Sequence, residues 1–403
     1  MKQITLSLVL ALLLFALPAA SAQDVPDYGQ YEVLAVQELD LNAGLTRISA
    51  HLAPDGTQFA QIENGEVCIY ALADGIWTED HCFTAHAQMM GEPEGMRWSP
   101  DGRYLTLSTY EQALLLALDT DIQVLDAGTG AITNLTDDAF EGGWITQVAG
   151  NLDLAPRWMD DDTLIFIRYA ANMDADPAAA LWQQFAPAAL YAVSLPAADG
   201  IMPPELRADI TTPDSIFPAY LLAVDVARNR AAYNADVTSL QDGVPVWQTM
   251  LNGSGGDKVL TPGVPGLGIL SMDYSEDGRY LMTQSLHWQR ADFGLTVRAI
   301  DAETGKPIDI DPRFPAAVEN NGPTGPVIVG AGSAPTGSAG ADTARRGDDP
   351  GKSGLYLASA PGEPGRLILA GDYFGTTCCQ RRPITWAAND VIMLGRAGGQ
   401  GVL

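Results

Sequence analysis

Four short clusters of aspartate have the residue types needed to bind a cation. They are Asp119-x-Asp121, Asp137-Asp138, Asp160-Asp161-Asp162 and Asp174-x-Asp176. Ca²⁺ prefers carboxylate oxygens, although no cluster has the spacing of a complete calcium loop. Asp160 to Asp162 fall in a turn that recurs along the chain, which favours a purely structural role, whereas Asp174 and Asp176 lie outside the recurring pattern. Asp174 and Asp176 are therefore the better candidates for Ca²⁺ ligands, and no other cofactor is indicated.

No residue pattern predicts a catalytic site. The chain has no G-x-S-x-G nucleophile motif, and Gly347–Ser353 is one residue short of a phosphate-binding loop and contains two aspartates. Of the four histidines, His51, His81 and His86 lie close together in the first quarter of the chain. That distribution is unfavourable for a metal site built from histidines on several elements.

A few aromatic and basic residues outside the recurring pattern are candidates for binding a partner. They are Trp182, Phe185, His287, Trp288 and Arg290. Loops on a rigid scaffold commonly carry function. The first two lie in the segment 170–189, and their alternative role is to pack that segment onto the rest of the protein.

The four cysteines form two pairs in the sequence. Cys68 and Cys82 flank the turn signal Ala73-Asp74-Gly75, and a three-residue loop at 74–76 would place them directly opposite each other on two strands. We therefore predict a cross-strand disulfide between them. Cys378 and Cys379 are adjacent, and three states stay open for them: a vicinal disulfide, free thiols or metal ligands. There is no C-x-x-C pair, which argues against a structural zinc site.

A frame at Trp98–Leu107 recurs along the chain and predicts the elements that position these side chains. It consists of an aromatic residue, a tight turn closed by Asp-Gly, and an alternating strand. Weaker copies start at Leu52, Trp158, Val226, Tyr274 and Trp386. Proline presets one backbone angle of such a turn, aspartate bonds back to it, and glycine accepts positive φ. Trp98, Trp158 and Trp386 are expected to act as wedges between neighbouring units.

Each copy continues into a unit of four antiparallel strands. A third strand ends in aspartate, as in Ile122–Asp126, then comes a glycine turn at Ala127–Gly130 and a fourth strand at Ala131–Thr136. The last gap between copies is about two units long, which indicates one further copy near Pro326–Val329 and seven copies in all. Four-stranded units that repeat at this spacing predict an all-β fold of the β-propeller type.

Seven blades are favoured, with six as the alternative. A strand at Tyr31–Val36 is expected to complete the last blade and close the ring, which removes open sheet edges. Residues 23–403 would form this single domain, with two segments that interrupt the repeat. The segment 170–189 is expected to contain a short helix on a loop face, and 333–353, which is rich in Gly, Ser, Ala and Pro, is expected to be a mobile loop.

The Trp-Ser-Pro-Asp-Gly-Arg pattern resembles the PD40, or TolB-like, propeller repeat, a WD40-like family. The clearest copies are 98–107 and 274–282, and the resemblance covers most of residues 46–403. TolB itself has an additional α/β domain before its propeller, for which there is no room between Gln23 and Leu52, so the chain is not TolB. The resemblance implies an exported scaffold that binds proteins or small ligands.

The N-terminus and the charge predict where the protein works. Lys2, an apolar run at Leu6–Leu17 and Ala20-Ser21-Ala22 have the form of a signal peptide covering residues 1–22. The protein is then exported, either periplasmic or extracellular, with no membrane span. A net charge of −28 disfavours nucleic acid as a partner. A monomer is expected.

These observations favour a non-enzymatic, exported β-propeller that binds a protein or a ligand on one face. The alternative is an enzyme, a lyase or hydrolase of extracellular polymers, whose side chains meet at the mouth of the propeller channel. A structural component of the cell envelope is a third interpretation.

Overall fold

In the computed structural model, the described part of the chain begins at residue 38 and ends at residue 402. It comprises residues 38–39, 50–63, 66–84, 96–113, 116–139, 150–172, 174, 176, 185–195, 203–210, 222–225, 228–236, 246–253, 256–265, 267–275, 278–287, 295–308, 320–321, 327–331, 354–358, 366–370, 385–386, 391–395 and 401–402. This part of the chain contains no α-helix and is built from antiparallel β-strands. None of its elements is a helix long and apolar enough to cross a membrane.

The strands form units of four, which we number along the chain from Ala50. Unit 1 contains β2 (Ala50–Leu52), β3 (Gln58–Glu63), β4 (Glu66–Ala73) and β5 (Ile76–Thr84). Unit 2 contains β6 (Arg97–Trp98), β7 (Tyr104–Ala113), β8 (Leu116–Asp126) and β9 (Ile132–Asn134). Unit 3 contains β10 (Leu152–Trp158), β11 (Thr163–Tyr169), β12 (Ala189–Ser194) and β13 (Glu205–Asp209).

The second half of the chain continues the pattern. Unit 4 contains β14 (Leu222–Asp225), β15 (Arg230–Asp236), β16 (Val246–Gly253) and β17 (Gly256–Pro265). Unit 5 contains β18 (Leu267–Tyr274), β19 (Tyr280–His287), β20 (Leu295–Asp301) and β21 (Pro307–Ile308). Unit 6 contains β22 (Asn320–Asn321), β23 (Val327–Ala331), β24 (Gly354–Ala358) and β25 (Arg366–Ala370). The copy expected near Pro326–Val329 thus coincides with a strand.

The last sheet joins the two ends of the described chain. Its strands are β26 (Thr385–Trp386), β27 (Ile392–Gly395), β28 (Gly401–Val402) and, at the edge, β1 (Glu38–Leu39). Glu38 pairs with Val402, and Leu39 pairs with Gly401. An N-terminal strand therefore completes the C-terminal sheet. The strand expected at Tyr31–Val36 lies outside the described residues.

The sheets are buried on both faces because neighbouring units pack against each other. On β11 of unit 3, Leu164 and Phe166 pack against unit 2, whereas Ile165 and Ile167 pack against Leu222 of unit 4. Successive side chains of a strand point to opposite faces, so a continuous apolar run fits a strand that is covered on both sides. One parallel pairing, of Leu152 on β10 with Thr120 on β8, also joins the strands of units 2 and 3 into a single eight-stranded sheet.

The aspartates of the recurring frame shape its turns. The Asp101 carboxylate accepts hydrogen bonds from the Ser99 hydroxyl and the Arg103 backbone N–H, and Gly102 has φ 72°. The second turn of unit 2 is built in the same way, since the Asp126 carboxylate accepts from the backbone N–H groups of Gly128 and Thr129. In the divergent unit 4, Asn229 takes the left-handed position with φ 46°. The described turns therefore use these residues for geometry.

Trp98 and Trp158 lie between units, as expected of wedges, whereas the side chain of Trp386 lies outside the described residues. The Trp98 indole N–H donates to the backbone carbonyl of His51 in unit 1, at 2.8 Å. The Trp158 indole N–H donates to the carbonyl of Arg97 in unit 2, at 3.1 Å. Both rings are buried. Each indole thus contributes apolar packing and one hydrogen bond to the joint with the preceding unit.

Cys68 and Cys82 form the predicted disulfide, with an S–S distance of 2.08 Å. The loop between their strands differs from the expectation, because the turn has two residues, Asp74 and Gly75, both with positive φ, which suits the right-handed twist of a hairpin. A two-residue turn alone would leave the cysteines one position out of register. A bulge at Asp80 restores the pairing of Cys68 with Cys82.

Candidate binding face

The two ends of each unit differ because successive strands run in opposite directions. Connections from the first to the second strand and from the third to the fourth leave at one end, which we call the turn end. Connections from the second to the third strand and to the next unit leave at the other, the loop end. The segment 170–189 and the connection after His287 both start at the loop end, where Phe185 and His287 are the described residues among those predicted to bind a partner.

A buried ion pair lies at the loop end between units 2 and 3. Asp153 on β10 is fully buried, and its carboxylate accepts two hydrogen bonds from the guanidinium of Arg168 on β11, both at 2.6 Å. The guanidinium also lies over the rings of Phe166 and Tyr191, 5.4 and 5.3 Å from their centroids. With Asp121, Asn134 and Thr136, these two charged residues form what we call the acidic junction.

The acidic junction shifts the pKa of its carboxyl groups. Burial raises the pKa of Asp153 to about 6, because the gain from Arg168 does not fully offset the loss of hydration, and the nearby Asp121 adds repulsion. Burial also raises the pKa of Asp121, and the charge of Asp138 adds to it, whereas the amide of Asn134 opposes it by donating at 2.7 Å. Carboxyl groups with raised pKa values occur at functional sites and in structural networks alike.

The acidic junction is linked by hydrogen bonds to the base of the segment 170–189. The Thr120 side chain accepts from the Asp153 N–H at 2.6 Å and donates to the Asp153 carbonyl at 3.0 Å. The Asn151 side chain accepts from the Ala171 N–H, and Ala171 pairs in turn with Phe185 at the far end of the segment. The two ends of the segment are therefore held together on a fixed part of the sheet.

Asp174 and Asp176 are exposed, and the Asp174 N–H donates to the side chain of Asn172. Within the described residues, one group of three ligand atoms is close enough for a metal ion, and it consists of Cys68, Glu79 and Cys82. Those two cysteines form a disulfide and have no thiolate to offer. The assignment of Asp174 and Asp176 to Ca²⁺ stays a prediction.

Phe185 is buried in the core between units 3 and 4, beside Tyr169, Leu190 and Tyr233. It packs the segment onto the sheet, which was the alternative role for this residue. His287 is the last residue of β19 and pairs with Leu267. Trp182, Trp288, Arg290, Cys378, Cys379, the segment 333–353 and the helix expected between Ala170 and Ala189 lie outside the described residues, wholly or in their central part.

One ion pair connects two units that are distant in the chain through their first strands, and no sequence pattern indicated it. The Arg97 guanidinium of β6 lies 3.5 Å from the Asp273 carboxylate of β18. Units 3 and 4 stand between these residues in the chain, so the ion pair brings together the first strands of two units that are not neighbours in the sequence. Each residue directly precedes the aromatic residue of its frame, which is a feature that a repeat alignment could have singled out.

Comparisons with known proteins assign no family. No family model matches the chain, and no curated protein matches it. Among solved structures, the crystal structure of the tricorn protease is similar over 66% of this chain and 27% of that chain, with a TM-score of 0.40 and 10% sequence identity. The chain thus corresponds to about a quarter of that structure's length. A TM-score this low supports no conclusion about fold or activity.

Proposed function

We propose that the chain is an exported β-propeller of seven blades, built on PD40-like repeats, that binds a protein or a ligand on the face formed by its loop ends. The ring is supported by contacts between first strands. Strand β2 adjoins β6 and β26, and β10 adjoins β6 and β14. Likewise β14 adjoins β18, and β22 adjoins β26. The pairing of β1 with β28 supports closure, because it supplies an outer strand to the last sheet.

Closure can be tested by joining the two ends of the ring. Glu38 and Val402 are directly paired, so the double variant Glu38→Cys/Val402→Cys should form a disulfide in air and raise the unfolding temperature. The Glu38→Cys variant is the matched control. Free thiols in the folded double variant would contradict closure by this strand, and a crystal structure with six blades would overturn the blade count.

One observation supports the binding function: the turn end and the loop end of the units differ in what they carry. At the turn end, Asp101, Asp126 and Asp301 are engaged by backbone N–H groups of their own turns. The loop end instead carries the interruption 170–189, whose base is fixed by Ala171 and Phe185. A loop segment on a fixed base is the arrangement by which rigid scaffolds present binding residues.

The assignment can be tested by shortening that segment. Residues 173–184 are replaced by a short Gly-Ser linker, which keeps the Ala171–Phe185 pairing and therefore the fold. The control is a Gly-Ser replacement of 196–202 in the same unit, because this connection leaves from the turn end. Loss of partner capture by the first variant alone is expected. Equal capture by both variants would overturn the choice of face.

For the alternative function as an enzyme, one carboxyl group of the acidic junction is accessible enough to contact a substrate. Asp153 is sealed under Arg168, whereas Asp121 is half-buried and has a raised pKa, as a general acid needs. A polymer lyase or hydrolase that uses this group would lose its activity in the Asp121→Asn variant. Unchanged polymer cleavage in that variant would remove this alternative for Asp121.

A further inference from the structure

Asn151 connects three parts of the loop end. Its backbone N–H donates to the Asp138 carboxylate at 2.8 Å, and its backbone carbonyl accepts from the Thr120 N–H at 3.0 Å. Its side-chain oxygen accepts from the Ala171 N–H at 2.9 Å. The first two partners belong to unit 2, and the third begins the segment 170–189. The start of this segment is therefore tied to both units 2 and 3.

The buried ion pair of the acidic junction lies next to Asn151. Asp153 follows Asn151 by two residues and pairs with Arg168 across β10 and β11, and its buried carboxylate accepts two hydrogen bonds from the guanidinium, both at 2.6 Å. The Thr120 hydroxyl bonds both the N–H and the carbonyl of Asp153. Because Thr120 contacts both Asn151 and Asp153, opening of the contacts around Asn151 is expected to admit water to the ion pair.

The charges around this ion pair favour a proton on Asp153. The titratable side chains that act on the pair and on the neighbouring carboxyl group of unit 2 come from both units. They are Arg168 on β11, Tyr191 on β12, Asp121 on β8, and Asp137 and Asp138 after β9. Burial, with Asp121 adding repulsion, raises the pKa of Asp153 to about 6, and this pKa should return toward its ordinary value of about 4 once water reaches the group.

We propose that proton uptake by Asp153 closes the base of the segment 170–189, which makes the presentation of the loop-end face dependent on pH. The base is closed when Ala171 is bonded to Asn151 and paired with Phe185. The closed base holds the proton more tightly than the open base, so by linkage the proton favours the closed base to the same extent. The proton comes from the solvent and adds to a carboxylate oxygen, and no covalent bond breaks.

The direction of this effect follows from the same linkage. The closed base is favoured in mildly acidic surroundings, and it opens more often as the pH rises toward neutrality, because the ionised carboxylate gains more from hydration. The inference rests on the function proposed above, since that function assigns partner binding to the segment 170–189. It adds a control of that segment by pH.

Hydrogen exchange of the Ala171 amide in the full chain measures how often the base opens. We expect its exchange rate, divided by the intrinsic rate at each pH, to be about tenfold lower at pH 5 than at pH 7. This is the change that a pKa of about 6 in the closed base and about 4 in the open base requires. The Ser275 amide, which donates to the Tyr280 carbonyl in unit 5, is the internal control and should change much less.

Two variants separate the effect of Asp153 from other effects of pH. Asp153→Asn removes the titrating group and keeps the shape of the side chain, so its Ala171 amide should exchange at the same corrected rate at pH 5 and pH 7. Asp174→Asn, which alters an exposed carboxylate of the same segment, is the matched control and should keep the change of about tenfold.

The proposal would be overturned by an equal corrected rate of Ala171 at both pH values in the parent protein, or by a change that persists in Asp153→Asn. Equal changes at Ala171 and Ser275 would also overturn it, because they would report opening of the whole protein. The parent measurement decides even if Asp153→Asn fails to fold. Exchange is measured without a partner, so its failure would leave the binding face standing, whereas unchanged capture after replacement of 173–184 would contradict only the binding face.

Discussion

Two buried aspartates join neighbouring units in different ways. Asp153, between units 2 and 3, meets one arginine of its own unit and has Asp121 nearby. Asp225, between units 4 and 5, accepts hydrogen bonds from both Arg228 and Arg230, at 3.1 and 2.8 Å. The first carboxylate therefore stands in an acidic surrounding, and the second in a basic one.

The contact between units 4 and 5 also lacks the tryptophan of the repeat and uses an arginine in its place. Units 1 to 3 are connected by indole N–H groups, whereas unit 4 has no tryptophan in its frame. Arg230 instead donates to the carbonyls of Gly278 and Ala302 in unit 5 and lies over the ring of Tyr274. A divergent copy of the motif can thus still make a firm joint, through charge in place of an indole.

The largest effect is expected from breaking the Asp225 joint. Asp225→Ala leaves two arginines without their carboxylate, and removing one partner of a buried ion pair costs about 3–5 kcal/mol of unfolding free energy. Urea unfolding measures the loss. Arg103→Ala, which removes an exposed ion-pair partner at a turn, serves as the control and should leave the midpoint nearly unchanged. Equal midpoints for both variants would show that the arginine joint contributes nothing.

The contribution of Asp153 to the unfolding free energy should depend on pH, and the raised pKa of its carboxyl group determines the direction. The folded state holds the Asp153 proton up to about pH 6, whereas the unfolded chain releases it near pH 4, so folding takes up protons in between. Its contribution to stability is therefore present at low pH and declines as pH rises from about 4 to 6, by at most about 3 kcal/mol.

The difference in unfolding free energy between the parent protein and Asp153→Asn isolates this contribution, since other titrating groups cancel. That difference should change between pH 4 and pH 6 and be flat above pH 7. Asp174→Asn, which alters an exposed carboxylate, is the control. A difference that stays constant across the whole range would contradict the raised pKa.

A smaller effect is expected at the glycine turns. Gly305 has φ 70°, and a Cβ there would run into the backbone carbonyl of Leu260 in unit 4, so Gly305→Ala should lower the unfolding free energy by about 2–3 kcal/mol. Gly75 has φ 77° but open space around it, and Gly75→Ala should cost only about 1 kcal/mol. Similar losses in thermal unfolding would show that the contact with unit 4 does not matter.

The smallest change in unfolding free energy is expected at the aromatic positions of units 2 and 5, Trp98 and Tyr274. Trp98→Phe deletes the donor to the His51 carbonyl and should cost about 1–2 kcal/mol. The buried Tyr274 hydroxyl has no hydrogen-bond partner within the described chain, and burial raises its pKa to about 12. Tyr274→Phe should therefore be neutral or slightly stabilising, as guanidinium unfolding would measure. A loss in Tyr274→Phe as large as that in Trp98→Phe would mean that the hydroxyl is satisfied.

Local rules explain why much of the architecture was predictable. The Asp-Gly turns, the alternating strands and the wedging tryptophans depend on residues within one unit, and the structure has them at Asp101, Gly102 and Trp98. The disulfide was predicted although its loop was not, because turn length and the bulge at Asp80 depend on strand twist. Phe185, one of the candidates for binding a partner, is buried against unit 4, and its packing was not predictable because unit 4 lies far along the chain.

The sequence by itself determined the β-strand content, the four-stranded unit and the Cys68–Cys82 bridge, since each follows from turn chemistry and short-range periodicity. Only the tertiary structure brought Asp153 under Arg168, set Arg230 across two units and placed Arg97 opposite Asp273. These contacts depend on how whole sheets pack. Two charged residues far apart in the chain come into contact because the apolar faces of the sheets between them pack together. No local sequence pattern predicts such a contact.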